Sequence, residues 1–323
     1  MNSADKKLAS QPFSAAALAT ILQQFPAVRA WHVALSGGAD SVALLHALAT
    51  IPRETIAPIY AVHINHGLQS EASQWDNFCT RLCADHDIPL TTLKVSIERE
   101  QGESLEMAAR RVRYAAFSDC LQEREALLTA HHQNDQAETL LLNLLNGAGV
   151  TGLAAMQPCR DFSAGYLIRP LLAFTHQQLM DYLEGEKISW VEDPSNQDAV
   201  FDRNFLRNEI IPNLESRWPA AVKCIARSAR NQREQVSLNR ELAEQDLAKA
   251  SDFCCGGILL RRFQVLSLER QKLLLRHWLG TNPPLINPSE EQLQTILNEL
   301  IAAAEDAQPQ LKLAGTVIRR FDD

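Results

Sequence analysis

The feature that most constrains this chain is a Gly-rich break between a strand and a helix. Trp31 to Ser36 (WHVALS) is a short apolar run of strand character, and SVALLHALA after it is a helix pattern with Leu44, Leu45 and Leu48 inward. Between them lies SGGADS, Ser36 to Ser41. A turn of this kind at the end of a buried strand is where an open α/β sheet binds phosphates. Gly37 and Gly38 let backbone N–H groups approach an anion, Ser36 and Ser41 add hydroxyl donors, and Asp40 can order the loop or bind Mg²⁺. The loop is not of the Walker A type, because the Gly-Lys-Ser/Thr ending is missing. A plain strand-to-helix turn is the competing explanation.

The rest of the first two hundred residues repeats the strand–helix alternation. Ala57–Asn65 is a second apolar strand, followed by a helix capped by Ser70 with Trp75, Phe78 and Leu82 on one face. IPLTTLKVSI gives a third strand, a helix runs from about Ser104 to Glu123, and Ala126–Ala130 gives a fourth strand. A helix from about Asp135 to Leu145, a Gly-rich loop and a strand around GYLIRPLL complete the series. This order predicts an α/β fold, a Rossmann-like parallel sheet with helices on both faces. From about Ser189 the pattern changes: ISWVED reads as a strand, DPSN as a turn, and a helix starts near Asp202. Trp218-Pro219 opens a long polar helix to about Ala250, and beyond it lies a smaller, mainly helical α+β region. That region has a helix carrying Leu293, Ile296, Leu297 and Leu300 on one face, then a hairpin at QLKLAGTVIRRF. A chain of 323 residues suits two domains, placed at 1–214 and 215–323.

Three groups of side chains carry chemical potential. His131 and His132 end the fourth strand, and Asp135, Glu138 and Thr139 follow at helical spacing, at the same sheet edge as SGGADS. An Asp in that position is often only a cap. Two acids and two histidines beside a phosphate loop also suit Mg²⁺ binding and proton transfer. Glu106, Arg110 and Arg113 share a helix face opposite Leu105, Ala109, Val112 and Ala116, either as solvated ion pairs or as ligands of an anion. Arg203 and Arg207 lie near a helix start, where the macrodipole disfavours cations by some tenths of a kcal/mol, so an anionic partner is expected.

Charge bounds the partners. The net charge of −8 excludes a general polyanion binder, yet Arg203 to Arg233 holds seven basic residues against Glu209 and Glu215, a local +5 that leaves −13 elsewhere. Such a stretch is either a solvated face or a seat for an RNA backbone. Seven cysteines without a CxxC pair suggest neither a disulfide framework nor a zinc or iron–sulfur site, and His63/His66 and His131/His132 lack further ligands at metal spacing. No apolar run approaches the roughly 20 residues that span a bilayer, and MNSADKKLASQPF has no signal-peptide core, so a cytoplasmic protein with no membrane partner is expected.

SGGADS resembles the signature of the PP-loop ATP pyrophosphatases. VHINHGL (Val62 to Leu68), SLEMAARRVRY (Ser104 to Tyr114), TAHHQNDQAETLLLNLLNGAGVTGL (Thr129 to Leu153), IRPLL (Ile168 to Leu172) and EDPSNQDAVFDRNFLR (Glu192 to Arg207) follow in the order and spacing of the tRNA(Ile)-lysidine synthase family. The resemblance implies ATP and Mg²⁺ as cofactors, with L-lysine and an isoleucine tRNA bearing a CAU anticodon as partners. It implies that cytosine O2 is adenylated with loss of pyrophosphate and that lysine then displaces AMP. Ser36, Gly37, Gly38, Ala39, Asp40, Ser41 and His63 would hold ATP, and Asp40 and Asp135 the Mg²⁺. Asp40, His131, His132, Asp135, Glu138 and Arg203 would be catalytic, with Asp135, Glu138 or a histidine taking the lysine proton. Glu106, Arg110, Arg113, Asn204 and Arg207 would meet lysine or tRNA. The choice between monomer and dimer stays open.

Asn146-Gly147 stands where Arg-Gly is usual in that family, and Gln69 where Arg often follows. Longer members carry a further C-terminal domain beyond the point where VIRRFDD ends, so a short form or an incomplete chain is expected. Two rivals accompany this expectation. One is a tRNA thiolase of the same superfamily, disfavoured by the lack of CxxC pairs. The other is a non-catalytic nucleotide- or tRNA-binding protein, disfavoured by the retained acids and DRNFLR.

Overall fold

Residues on neighbouring strands alternate between two apolar layers, which is what a sheet covered on both faces requires. Val33, Ala61, Ala126, Leu128 and Ile168 pack into one core together with Leu44, Leu45, Leu48 and Leu171. Val62, Leu127 and Leu167, each next in sequence to a member of the first set, pack on the other face with Phe117 and Leu121. The computed structural model describes residues 11–65, 72–100, 102–192, 201–251, 256–283, 285–303, 307–313 and 315–320. His66, Gln69, most of the EDPSNQDAV segment, Cys254, Cys255 and the side chain of Glu106 lie outside the described residues.

The sheet contains β1 (Ala30–Ala34), β2 (Ile59–Asn65), β3 (Leu90–Lys94), β4 (Glu125–Leu128), β5 (Cys159–Phe162) and β6 (Gly165–Ile168), in the order β3-β2-β1-β4-β6-β5. All neighbours are parallel except β5 and β6, which form an antiparallel hairpin at the edge. Gly165 is required there, since a Cβ on it would come 2.1 Å from the Glu125 carbonyl oxygen. The helices described in this part are α1 (Ala15–Leu22), α2 (Ala39–Thr50), α3 (Ala72–Asp85), α4 (Leu105–Asp119), α5 (Gln133–Leu145), α6 (Val150–Leu153) and α7 (His176–Gly185). The strand order reverses beside β1, whose neighbours are β2 and β4. Ligands of open α/β sheets bind at such a switch point, outside the carboxyl ends of the strands.

Three expectations are corrected. Helix α1 and strand β5 are additional elements. Ile188–Glu192 is not a strand: among its backbone groups, Val191 N–H donates to the Gly37 carbonyl at 2.9 Å, a single bond to a loop in place of a ladder. On α4 the inward residues are Ala108 and Phe117, while Leu105 is exposed. Ala109, Val112 and Ala116 of the expected apolar face are half-buried.

The chain divides into two compact units, Met1–Asn231 and Gln232–Asp323. After α7 the first contains α8 (Asp202–Phe205), a π-helical turn Leu206–Ile210, α9 (Ile211–Arg217) and the start of α10 (Ala221–Ala250). The second has α11 (Leu260–Phe263), α12 (Leu268–Thr281), α13 (Glu290–Thr295) running into a π-helical Ile296–Ile301, and the hairpin β7 (Gln310–Leu313) and β8 (Thr316–Arg319). Leu293, Ile296, Leu297 and Leu300 are all buried in its core. Among the described residues no helix is long and apolar enough to cross a membrane.

Candidate active site

The loop after β1 is held by its own hydroxyls. Ser41 Oγ accepts from Ser36 N–H at 3.2 Å and donates to the Gly38 carbonyl at 2.9 Å, and Ser36 Oγ accepts from Gly38 N–H at 3.3 Å. Gly37 has φ +87°, a left-handed conformation suited to glycine, and a Cβ there would come within 3.3 Å of Cys79 Sγ. Gly38 caps α2 without a side-chain hydrogen bond, so no side chain competes with an anion for the first-turn N–H groups of Ala39 and Asp40. Behind the loop, His63 Nδ1 lies 2.8 Å from the Leu35 carbonyl and its Nε2 lies 3.0 Å from Asp76 Oδ1. His63 is buried and contacted on both ring nitrogens, which fixes its ring behind the loop. Burial pushes the Cys79 thiol up to about 12, with Cys83 and Asp76 adding to it, which leaves it a poor nucleophile at neutral pH.

The loop after β4 meets this one across the switch point. His132 caps α5: its Nδ1 accepts from Asn134 N–H at 3.2 Å, while Asp135 Oδ2 accepts from His132 N–H at 2.9 Å. The cap role expected of Asp135 is therefore real, and it coexists with a second one. His132 Nε2 lies 3.4 Å from both Asp40 Oδ2 and Asp135 Oδ2, joining the two loops. Burial lowers the His132 pKa, but Asp135 and Asp40 outweigh it and the net shift is upward. Asp40 Oδ1 is buried without a hydrogen-bond partner.

Arg203 and Arg207 find their anions inside the protein. Arg203 donates from Nε to Glu138 Oε2 at 2.7 Å and from Nη2 to Asp135 Oδ1 at 2.9 Å. Arg207 donates from Nε to Glu138 Oε1 at 2.7 Å and from Nη2 to Asp135 Oδ1 at 2.9 Å. Glu138 is 0% exposed and both its oxygens are taken by guanidinium groups, so it is placed to position arginines rather than to accept a proton. Burial raises the Asp135 pKa, yet His132, Arg203, His131 and Arg207 together hold it well below the usual carboxylate range. The local +5 is correspondingly reduced, because two of its seven cations answer buried carboxylates of another segment. Arg217, Lys223 and Arg227 remain exposed.

His131 stands apart from this quartet. Its Nδ1 lies 2.8 Å from Thr129 Oγ1. Burial, reinforced by Arg169, Arg203 and Arg110 and opposed by Asp135, pushes its pKa down to about 3. Of the α4 candidates, Arg110 is exposed and sits 4.9 Å over the Tyr114 ring, and Arg113 is half-buried. Asn204 is half-buried between the two quartet arginines in sequence. Two residues missed from sequence join the site. His176 Nε2 lies 3.8 Å from Asp40 Oδ1, and its ring centroid is 5.4 Å from that of His132. The signal was present in the capping box of Thr175 and Gln178, which puts His176 at the first position of α7. Arg169, at the end of β6, is buried and carries an Nε without a partner.

A family described as a PP-loop domain matches residues 11–214, and one described as TilS substrate binding domain matches residues 259–323. A tRNA(Ile)-lysidine synthase of Haemophilus influenzae (strain PittGG) is 41% identical over 299 residues, covering 91% of this chain and 69% of the relative. The enzyme of the same description from Coxiella burnetii is 42% identical over 291 residues, covering 89% of this chain and 64% of the relative. The chain thus spans about two thirds of the length of these curated relatives. Among solved structures, the U34-tRNA thiolase NcsA from Methanococcus maripaludis aligns with a TM-score of 0.52 at 15% identity, covering 66% of this chain and 77% of that one, a likeness of fold.

Proposed function

This chain belongs to the tRNA(Ile)-lysidine synthase family, ligases that form a carbon–nitrogen bond, and on that premise we propose that it joins L-lysine to the wobble cytidine of a CAU anticodon in an isoleucine tRNA. The observation that carries this reading is the Asp40–His132–Asp135 contact, which ties a phosphate-binding loop to a cluster of acids and arginines within one cleft. A thiolase needs a sulfur-bearing nucleophile, and the cysteine packed against the loop has its thiol suppressed by burial. The chain acts in the cytoplasm, where tRNA is its substrate.

Ser36, Gly37, Gly38 and Ala39, with the Ser41 hydroxyl, would hold the pyrophosphate moiety of ATP at the positive end of α2. Asp40, whose Oδ1 lacks a hydrogen-bond partner, would hold Mg²⁺. The ion fits Asp135 less well, since that carboxylate already accepts three N–H bonds. The metal would neutralise charge on the phosphates. An anticodon base is unpaired and is splayed into such a cleft at modest cost. Cytosine O2 attacks the α-phosphorus and pyrophosphate leaves. The ε-amine of lysine then attacks C2, the C2–O bond breaks, AMP departs, and its phosphate takes up a proton shed by the ammonium. Asp135 and Glu138 fix Arg203 and Arg207 beside the reacting phosphate, where their charge stabilises the pentavalent state.

The test incubates the full chain with ATP, labelled lysine and an isoleucine tRNA bearing CAU. Lysine-dependent release of AMP with label in the tRNA is expected. Folded protein that binds ATP but releases no AMP would support the non-catalytic rival instead.

A further inference from the structure

We propose that the exposed ring of Trp218 is a stacking platform for an unpaired base of the RNA substrate, other than the base that reacts. The role rests on the ligase reading and adds to it an RNA contact outside the cleft. Trp218 is 59% exposed, whereas Trp31 is buried and Trp75, Trp190 and Trp278 are half-buried. A lone exposed ring would mean little, but this one belongs to a concave apolar surface. With Leu214, Pro219, Ala221, Cys224 and Ile225 it lines a cup of about 510 Å³.

The cup is rigid and tied to the site. Trp218 N–H donates to the Leu214 carbonyl at 2.7 Å at the end of α9, and the Trp218 carbonyl accepts from Ala221 N–H at 2.8 Å where α10 begins. Pro219 fixes the next φ, so this backbone loses little freedom when a ligand binds. Ile225 packs with Ile211, Val222 and Ala137, and Ala137 lies between Asp135 and Glu138 on α5. Residues Asp202 to Arg217 form one continuous helical run. Trp218 therefore lies about 16 Å along that run from Arg207, at 1.5 Å per residue. A stacked strand rises about 3.4 Å per nucleotide, so bases at Trp218 and beside Arg207 are roughly five nucleotides apart, close enough to share one anticodon arm.

The charge around the cup chooses its occupant. Arg217 forms part of the wall, Lys223 is exposed beside Cys224 in sequence, and Arg227 donates from Nη2 to Cys224 Sγ at 3.4 Å. Between Leu214 and Arg227 the only acid is Glu215. A nucleotide answers both features, with a π-face for the indole and a phosphate for the cations. A second copy of the chain, docked on the same face, would set these cations against their own counterparts.

The experiment measures binding of an isoleucine tRNA bearing CAU, and steady-state AMP release, for the full chain, Trp218→Ala and Trp218→Phe. Trp218→Ala is expected to raise the Kd for tRNA about 10- to 100-fold, the worth of one base–aromatic stack. The salt slope of log K should stay the same, because stacking releases no counterions, and the KM for ATP and lysine should not move. Trp218→Phe keeps a ring at this exposed position and should recover most of the affinity. Abasic substitution at each unpaired position of the anticodon loop then finds the base. One position other than the wobble cytidine should weaken binding to the unaltered chain but not to Trp218→Ala. Unchanged tRNA affinity in Trp218→Ala, or no coupled position, would overturn the platform while leaving the ligase reading in place. So would an unaltered dimer that Trp218→Ala converts to monomer, which would give the cup to a second copy. An unaltered chain that neither binds this tRNA nor releases AMP would overturn both.

Discussion

Arg203 and Glu138 are 65 residues apart in the chain and meet at 2.7 Å in the fold. The same carboxylate receives Arg207, 69 residues away, at the same distance. Glu138 therefore closes the end of the first unit onto helix α5 while aiming two cations into the cleft. Structure and chemistry are coupled at one fully buried side chain.

Removing that side chain should cost both. Glu138→Ala leaves two guanidinium groups unanswered and is expected to destabilise the first unit by about 3–5 kcal/mol. Arg207→Ala should cost less, because Arg203 still answers both Glu138 and Asp135 when Arg207 is gone. Urea unfolding of the two variants checks the order. Glu138→Gln should lower kcat without moving the acid limb of the pH–rate profile. A shifted limb would make Glu138 a proton acceptor.

Asp40→Ala should reduce pyrophosphate release by at least ~100-fold while lowering the thermal transition only slightly, since Asp40 is half-exposed and its contact with the buried His132 is long, at 3.4 Å. Chelating Mg²⁺ should have a comparable effect on the unaltered chain. Retention of pyrophosphate release in purified Asp40→Ala would remove the loop's assigned role.

His131 gives a pH dependence of known sign. Its folded pKa of about 3 lies below the ordinary 6.5, so the unfolded chain binds more protons between these values. The stability it contributes is then complete above about pH 6.5 and declines as pH falls, by at most about 1.4 kcal/mol per pH unit. The unfolding free energy of the unaltered chain, compared with that of His131→Gln from pH 5 to 7, should show this slope. NMR should find the imidazole neutral throughout that range.

The exposed basic residues of α10 should act differently from the quartet. Arg227→Ala is expected to weaken tRNA binding modestly and to lower the salt slope of log K by about 0.7–0.9, the contribution of one phosphate contact. Arg203→Ala should lower kcat at every salt concentration. Equal salt slopes for Arg227→Ala and the unaltered chain would make this face a solvated one.

The phosphate loop and the Asp135/Glu138 helix were legible because strand, turn and helix signals are local, and the predicted α/β sheet follows from the same signals. The quartet was not, because its partners are brought together only by the sheet order. Reading Arg203 and Arg207 as part of a +5 stretch counted charges that the fold neutralises from another segment. Ile188–Glu192 reads as a strand because Ile188 and Trp190 pack on the core and Val191 on Gly37, although the segment has no ladder partners. Strand β5 was missed since four residues, Cys159–Phe162, with Arg160 and Asp161 between them, carry too little apolar alternation. Arg169 gave no sign of its isolation, since sequence shows that a residue is charged but not whether its charge is answered.

The most direct test of the account is the mass of the modified nucleoside. After reaction with ATP and lysine, the isoleucine tRNA is digested to nucleosides and the product derived from the wobble cytidine is weighed. The account predicts a gain of one lysine less one water, dependent on ATP. A product in which sulfur has replaced oxygen, or unchanged cytidine from an assay containing folded, ATP-binding protein, would contradict it.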